Sequence, residues 1–248
     1  INIQENVLLN HPTVEKLSNF MKEKKNKLSV EAVKWAEIFK ENVDLKLPKS
    51  WFTQNLFKYI SKAFFALYFR LKGEGTENIP DGPFILAPNH QSYFDGLFVS
   101  VFLKRDIIKN TYFYAKEKHV QKRWIRAIAN RNNVIILDIN NDLKASLQKL
   151  AKVLKNGKNV IIFPEGTRTR SGNIGRFKKS FAILSREMNV PIVPVSIKGA
   201  FEALPRGSKL PRPWKKINVK FHKPIYPENL TYEALANLVH ERLASELA

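Results

Sequence analysis

The sequence predicts an α/β fold: a single twisted open sheet flanked by helices, with an N-terminal helical segment ahead of it. Three observations carry this. A chain of 248 residues is long enough for one main domain with its own core. From Gly73 onward, short apolar runs alternate with stretches of helical periodicity, the punctuation of strand–helix units. The clearest helix in the chain, with Leu143, Leu147, Leu150 and Leu154 at intervals of three to four and Gly157 as its stop, lies between two of those apolar runs.

Taken in order, residues 1–24 read as a turn-like segment and then a helix opened by Pro12, with Leu17, Phe20 and Met21 on one face. KEKKNK at 22–27 is a charged linker, and LSVEAVKWAEIFKENV after it reads as a helix with Ser29 as its cap. In SWFTQNLFKYISKAFFALYFRLK, residues Phe52, Leu56, Tyr59, Ile60, Ala63, Leu67 and Leu71 keep helical spacing, while Lys58, Lys62, Arg70 and Lys72 supply a basic edge. A helix packed on the domain explains that segment as well as one lying at a lipid interface, which carries the same aromatics and flanking cations. The expected organisation is therefore 1–24, a helical membrane-facing segment 25–72, and a main domain 73–248. Strands are expected at FILAPN (84–89), TYFYAK (111–116), NVIILDI (133–139), NVIIFP (159–164), PIVPVSI (191–197) and INVKFHK (217–223). No internal repeat or low-complexity tract is visible.

Lys and Arg number 42 against 22 Asp and Glu, a formal net charge of +20. Such an imbalance suits an anionic partner, phosphate above all: a phospholipid surface, a nucleotide-bearing cofactor or nucleic acid. The chain has no cysteine, which excludes disulfides, thiolate metal sites and a cysteine nucleophile. Its five histidines are scattered without metal-binding spacing, so no metal is expected. No apolar run approaches the roughly 18–20 residues of a bilayer-spanning helix, and no secretory signal opens the chain, so it is expected to be soluble or to lie on a membrane surface. Its start at Ile1 suggests a longer polypeptide upstream.

Two stretches carry chemistry. In NHQSYFD, 89–95, a strand ends at His90 and a helix starts within the following residues, placing the imidazole at the sheet edge where open α/β folds build their sites. Asp95, about one helical turn on, can fold back to hold one imidazole tautomer and leave the other nitrogen free to take a proton. Backbone amides near that helix start are the expected oxyanion donors. Ser92 lacks a nucleophile-elbow context, which disfavours a covalent acyl-enzyme. Taken alone, the His–Asp spacing also fits a structural hydrogen-bonded pair. The second stretch, NVIIFPEGTRTRSGNIGRFKKS, runs a buried strand into Pro164, Glu165, Gly166, Thr167 and Arg168. An arginine able to bind bidentately and a glycine that admits backbone amides suit a phosphate, although a turn closed by an ion pair explains EGTR equally well.

Together, NHQSYFD, FPEGTR and VPIVPVSI, in that order over roughly residues 70–225, resemble the first, third and fourth blocks of the glycerolipid acyltransferase family, which includes the 1-acylglycerol-3-phosphate acyltransferases. The resemblance implies His90 as the base that deprotonates an acceptor hydroxyl for direct attack on an acyl thioester, with Asp95 supporting it. It implies Glu165, Gly166, Thr167 and Arg168 as the acceptor's phosphate site, and Pro194 and Lys178 at the acyl or donor pocket. Two positions depart from the family pattern: Ile139 stands where an arginine is expected, and Ser180 where a glycine is expected after FKK. Residues 1–24 also resemble the tail of an acyl carrier domain whose prosthetic-group serine would precede Ile1; an ordinary amphipathic helix accounts for the same pattern.

The resemblance implies a peripheral enzyme of phospholipid biosynthesis at the cytoplasmic face of the membrane. Acyl-CoA or acyl carrier protein, the latter free or as a fused upstream domain, would be the donor, a lysophospholipid the acceptor, and no cofactor would be needed. Basic runs containing Lys116, Lys118, Lys122, Arg123, Arg126, Arg206, Lys209, Arg212, Lys215 and Lys216, interleaved with Trp124 and Trp214, fit an anionic leaflet, each charge contributing about 1 kcal/mol there. A non-catalytic lipid-binding module of the same fold is the alternative. Nucleic acid is not expected as a partner, because no recognition motif accompanies the charge.

Overall fold

The computed structural model describes residues 34–41, 43, 45, 47–48, 52–116, 120, 122–137, 142–208 and 210–247. The expectations placed on residues 1–24, on the Ser29 cap and on Ile139 lie outside these. The chain divides into two units, 1–41 and 42–248. In the first, helix α1 (Trp35–Lys40) buries Trp35 and Phe39, one turn apart, with ring centroids 5.7 Å from each other.

The second unit is built on seven strands: β1 (Arg70–Glu74), β2 (Ile85–Pro88), β3 (Thr111–Lys116), β4 (Val134–Leu137), β5 (Asn159–Ile161), β6 (Ile192–Lys198) and β7 (Lys216–Phe221). They form one sheet in the order β1-β7-β6-β2-β5-β3-β4. Every neighbouring pair is parallel except β6 and β7. The helices are α2 (Phe52–Tyr68), α3 (Asp95–Ser100), α4 (Arg105–Lys109), α5 (Arg123–Arg131), α6 (Leu143–Lys155), α7 (Ser180–Met188), α8 (Ala200–Ala203) and α9 (Tyr232–Leu247). β2, β5 and β6 are mostly apolar, and apart from Lys198 at the end of β6 they are buried because helices cover both faces.

On one face, Leu86, Val193, Val195, Ile197, Ile217, Val219 and Phe221 pack with Phe65 and Phe69 of the α2 region and Phe98 of α3. On the other, α9 lies across β6 and α7, burying Leu235, Val239 and Leu243. Asp142 caps α6 by accepting from Ala145 N at 2.9 Å, and Gly157 adopts φ 67° after its end, as its position at the helix stop requires. The expected α/β open sheet is the observed one.

The helical spacing read through Leu71 runs too far. Phe69 N still donates to Phe65 O, closing the last turn of α2, but Arg70 N donates to Lys215 O and Leu71 sits in β1 opposite Ile217. The backbone partners that turn this stretch into an edge strand come from residues far along the chain, and no local periodicity registers them.

Candidate active site

β2 and β5 are parallel neighbours, so the segments leaving their C-terminal ends, 89–95 and 162–169, emerge side by side. Asn89 anchors the first: its carboxamide accepts from Ile197 N at 2.7 Å and donates to Ile197 O at 2.9 Å, tying the segment to β6. His90 follows, its ring stacked on Phe163 with centroids 4.1 Å apart and its side chain 22% exposed.

Asp95 opens α3 and folds its carboxylate back over residues 91–94. Oδ2 lies 2.9 Å from His90 Nδ1 and also accepts from Gln91 N at 2.6 Å and Ser92 N at 2.7 Å. The carboxyl is fully buried; burial pushes it above the usual carboxylate range, and the contacts with His90, Ser92 and Gln91 pull the other way. With an ionised Asp95, the proton of the neutral ring resides on Nδ1, and Nε2 is left as the basic nitrogen. Near the helix start, where backbone amides were expected to serve an oxyanion, those of Gln91 and Ser92 donate to Asp95 Oδ2. Ser92 is itself buried, its Oγ accepting from Phe94 N at 3.3 Å.

The second stretch grips the first from below. Glu165 Oε1 accepts from His90 N at 2.8 Å, Glu165 Oε2 accepts from Gly175 N at 3.0 Å, and Thr169 N donates to His90 O at 2.8 Å. Both backbone polar groups of His90 are thus held by the 165–169 turn. Glu165 is buried, which raises its carboxyl against the pull of those two amides, and each of its oxygens accepts from a backbone amide, one of them that of His90. Gly166 takes φ 69°, and a Cβ there would stand 2.9 Å from Lys178 Cε.

Beyond it, Thr167 is exposed and Arg168 lays its guanidinium 3.3 Å from the centroid of the Tyr93 ring. Arg168 Nη1 is buried with no hydrogen-bond partner among the described residues. Arg206, from the loop after α8, donates from Nη1 to Thr167 Oγ1 at 3.3 Å and to Arg168 O at 3.4 Å.

His90, Asp95, Glu165, Gly166, Thr167 and Arg168 therefore meet at one edge of the sheet. Lys178 sits with them, its stem over Gly166. Pro194 lies within β6 opposite Ala87, its carbonyl accepting from His222 N. Neither Lys178 nor Pro194 lines the apolar cavity of about 330 Å³ between α2, α3 and β3–β4, whose wall includes Phe57, Tyr93, Leu97, Ile108, Phe113 and Val134. Tyr93 belongs to both places: its ring carries Arg168 and borders the cavity. Its role was hidden because an aromatic between Ser92 and Phe94 reads as ordinary helix-start packing; the stacked Phe163 and the contact made by Arg206 likewise have no local signal.

The family model described as Acyltransferase matches residues 70–198, just over half of the chain, and the chain belongs to that family. A crystal structure of the 1-acyl-sn-glycerophosphate (LPA) acyltransferase PlsC from Thermotoga maritima superposes with a TM-score of 0.67 at 30% identity, covering 79% of this chain and 78% of that one. A chloroplast 1-acyl-sn-glycerol-3-phosphate acyltransferase of Arabidopsis thaliana is 27% identical over 73% of this chain and 50% of its own length. A probable 1-acyl-sn-glycerol-3-phosphate acyltransferase of Mycoplasma pneumoniae is 30% identical over 62% of this chain and 60% of its own length. The chain thus spans about half to three-fifths of the curated relatives it matches.

Proposed function

We propose that this protein transfers a fatty acyl group from an acyl thioester to the free hydroxyl of a lysophospholipid of the 1-acylglycerol-3-phosphate type. The observation that carries the reading is the shared anchoring of His90: Asp95 holds its ring, and the turn bearing Arg168 holds its backbone on both sides. A base and a phosphate-binding cation fixed to one another in this way suit a small acceptor that has a hydroxyl at one end and a phosphate at the other.

In the reaction, His90 Nε2 takes the hydroxyl proton as the oxygen attacks the thioester carbonyl carbon. The tetrahedral centre collapses with cleavage of the carbon–sulfur bond, and the thiolate leaves as thiol with the proton from His90. Asp95 stabilises the imidazolium between the two proton transfers. The acyl chain occupies the apolar cavity beside Tyr93 and Leu97.

The docking surface is lipid. Phe57, Ile60, Phe64 and Leu67 recur at helical spacing on the outer face of α2 and are 51%, 57%, 45% and 76% exposed, while Gln54 and Lys58 face inward and donate to Ile108 O and Leu103 O. Although Phe65 of the same helix is buried in the core, an exposed apolar stripe of this kind, with Gln54 and Lys58 turned inward, suits a bilayer interface. Trp124 and Trp214, 62% and 69% exposed, carry the same amphipathic chemistry, and the excess of basic residues draws the protein to an anionic leaflet. Among the described residues, no helix is long and apolar enough to cross the membrane, which suits a peripheral mode of binding. The donor is acyl-CoA or acyl carrier protein, and no cofactor takes part.

The test is formation of phosphatidate from long-chain acyl-CoA, or acyl carrier protein thioester, and 1-acylglycerol-3-phosphate presented in anionic vesicles. The reading expects product and equimolar free thiol. Tight vesicle binding without thioester consumption, for any acceptor head group, would instead make the protein a lipid-binding module.

A further inference from the structure

A second arginine, besides Arg168, reaches the turn that braces His90. Arg206 stands on a tight turn closed by Ser208 N donating to Pro205 O at 3.1 Å, with Gly207 at φ 97°, a conformation that favours glycine. That turn reaches back across the fold and sets the Arg206 guanidinium on the backbone and side-chain oxygens of residues 167 and 168. Its bonds there, at 3.3 and 3.4 Å, are at the long end for N–H donors and engage only Nη1.

Two guanidinium groups sharing one short turn repel each other unless an anion lies between them. No carboxylate among the described residues is paired with either. The carboxylate in that turn, Glu165, has both oxygens engaged by backbone amides. Arg168 is further constrained, because the Tyr93 ring fixes its plane and its Nη1 is shut away from solvent without a partner. A buried unpartnered guanidinium nitrogen on Arg168, with a second, loosely held guanidinium resting on the carbonyl of the same residue, suits an anion whose acceptor oxygens come from outside the chain.

We propose that Arg206 is a phosphate-binding residue that, with Arg168, clamps the phosphate monoester of the acceptor, and that this pair sets head-group selectivity. The clamp rests on the acyltransferase reading above, since the acceptor is the molecule whose phosphate it holds. A phosphate monoester brings three terminal oxygens and close to two charges, enough to engage both arginines at once. A diester such as lysophosphatidylcholine brings one charge and two terminal oxygens, and leaves one arginine poorly matched.

Arg206→Ala and Arg206→Lys test this with two readouts. In steady-state turnover with 1-acylglycerol-3-phosphate in neutral detergent micelles, Arg206→Ala is expected to raise KM about tenfold to a hundredfold, the loss of one charge-assisted contact, with kcat within about twofold of wild type; Arg206→Lys recovers part of the KM. In calorimetric titration with sn-glycerol 3-phosphate, the same variant is expected to bind more weakly by a similar factor. A fall in kcat with unchanged KM, or glycerol phosphate binding equal to wild type, overturns the clamp. Should the wild type turn over no acceptor, the acyltransferase reading fails by itself, and the titration still decides whether Arg206 binds phosphate.

Discussion

Glu165 offers the sharpest quantitative prediction, because its two carboxylate oxygens are each engaged by one backbone amide, His90 N at 2.8 Å and Gly175 N at 3.0 Å. Glu165→Ala removes both acceptors and leaves two inward-facing donors without partners. Each such donor costs about 1–3 kcal/mol, so the variant should lose about 2–4 kcal/mol once water entering the vacated space is allowed for. In a chain of this size that corresponds to roughly 4–16 °C in Tm. The same loss releases the His90 backbone, and a displacement of about 1 Å at a reacting group costs about a hundredfold in rate. Glu165→Gln keeps one acceptor but sets its amide N–H₂ against the other backbone donor, and should fall between the alanine variant and wild type. Thermal unfolding by circular dichroism, paired with kcat and KM for 1-acylglycerol-3-phosphate, is the assay. A brace predicts falls in Tm and kcat with KM little changed. An unchanged Tm and kcat with a raised KM would mean that Glu165 acts on the acceptor itself, and the reasoning would be wrong.

Asp95→Asn should remain folded, since an amide oxygen can still accept from the amides of Gln91 and Ser92, yet lose about a hundredfold to ten-thousandfold in kcat because the imidazolium has no anion beside it; circular dichroism and turnover check the two halves. Gly166→Val should lower Tm, because a side chain at φ 69° costs about 1–2 kcal/mol even before its Cβ meets Lys178, and should raise KM for the acceptor as the turn shifts. His222 is buried against Ser196 Oγ at 3.0 Å, and burial holds its pKa below the ordinary value, with Lys220 and Arg242 acting in the same direction and Glu246 and Glu74 opposing. Its stabilising neutral form is present above about pH 6.5 and is lost as pH falls from there through the depressed folded value. The Tm of the wild type should therefore drop more steeply than that of His222→Gln between pH 7 and acid pH; parallel curves would exclude His222 as the source.

Much of the sheet was readable from local pattern: the six apolar runs each overlap a strand, and the leucines of α6 announced their helix. β1 was not, because Arg70 and Leu71 take their partners from Lys215, Lys216 and Ile217, and the same residues continue a helical spacing. His90 and Asp95 were legible since a histidine and an aspartate between two apolar runs conflict with burial unless they serve each other. The task of Glu165 was not, because a carboxylate that accepts from a backbone amide 75 positions away leaves no trace in spacing. Arg206 lay in a basic run read as one more charge for an anionic leaflet; only the folded loop brings it to the turn of residues 165–169.

The claim that everything else serves is that the His90 imidazole takes the proton of the acceptor hydroxyl. Its ring is 22% exposed and stacks on Phe163, so removing it should leave the fold intact while deleting the base. The direct measurement is the turnover of His90→Ala at saturating acyl thioester and 1-acylglycerol-3-phosphate, with circular dichroism and vesicle binding in parallel. A fall of about a hundredfold to ten-thousandfold, with folding and lipid binding preserved, is the predicted result. A His90→Ala rate within a few-fold of wild type would contradict it.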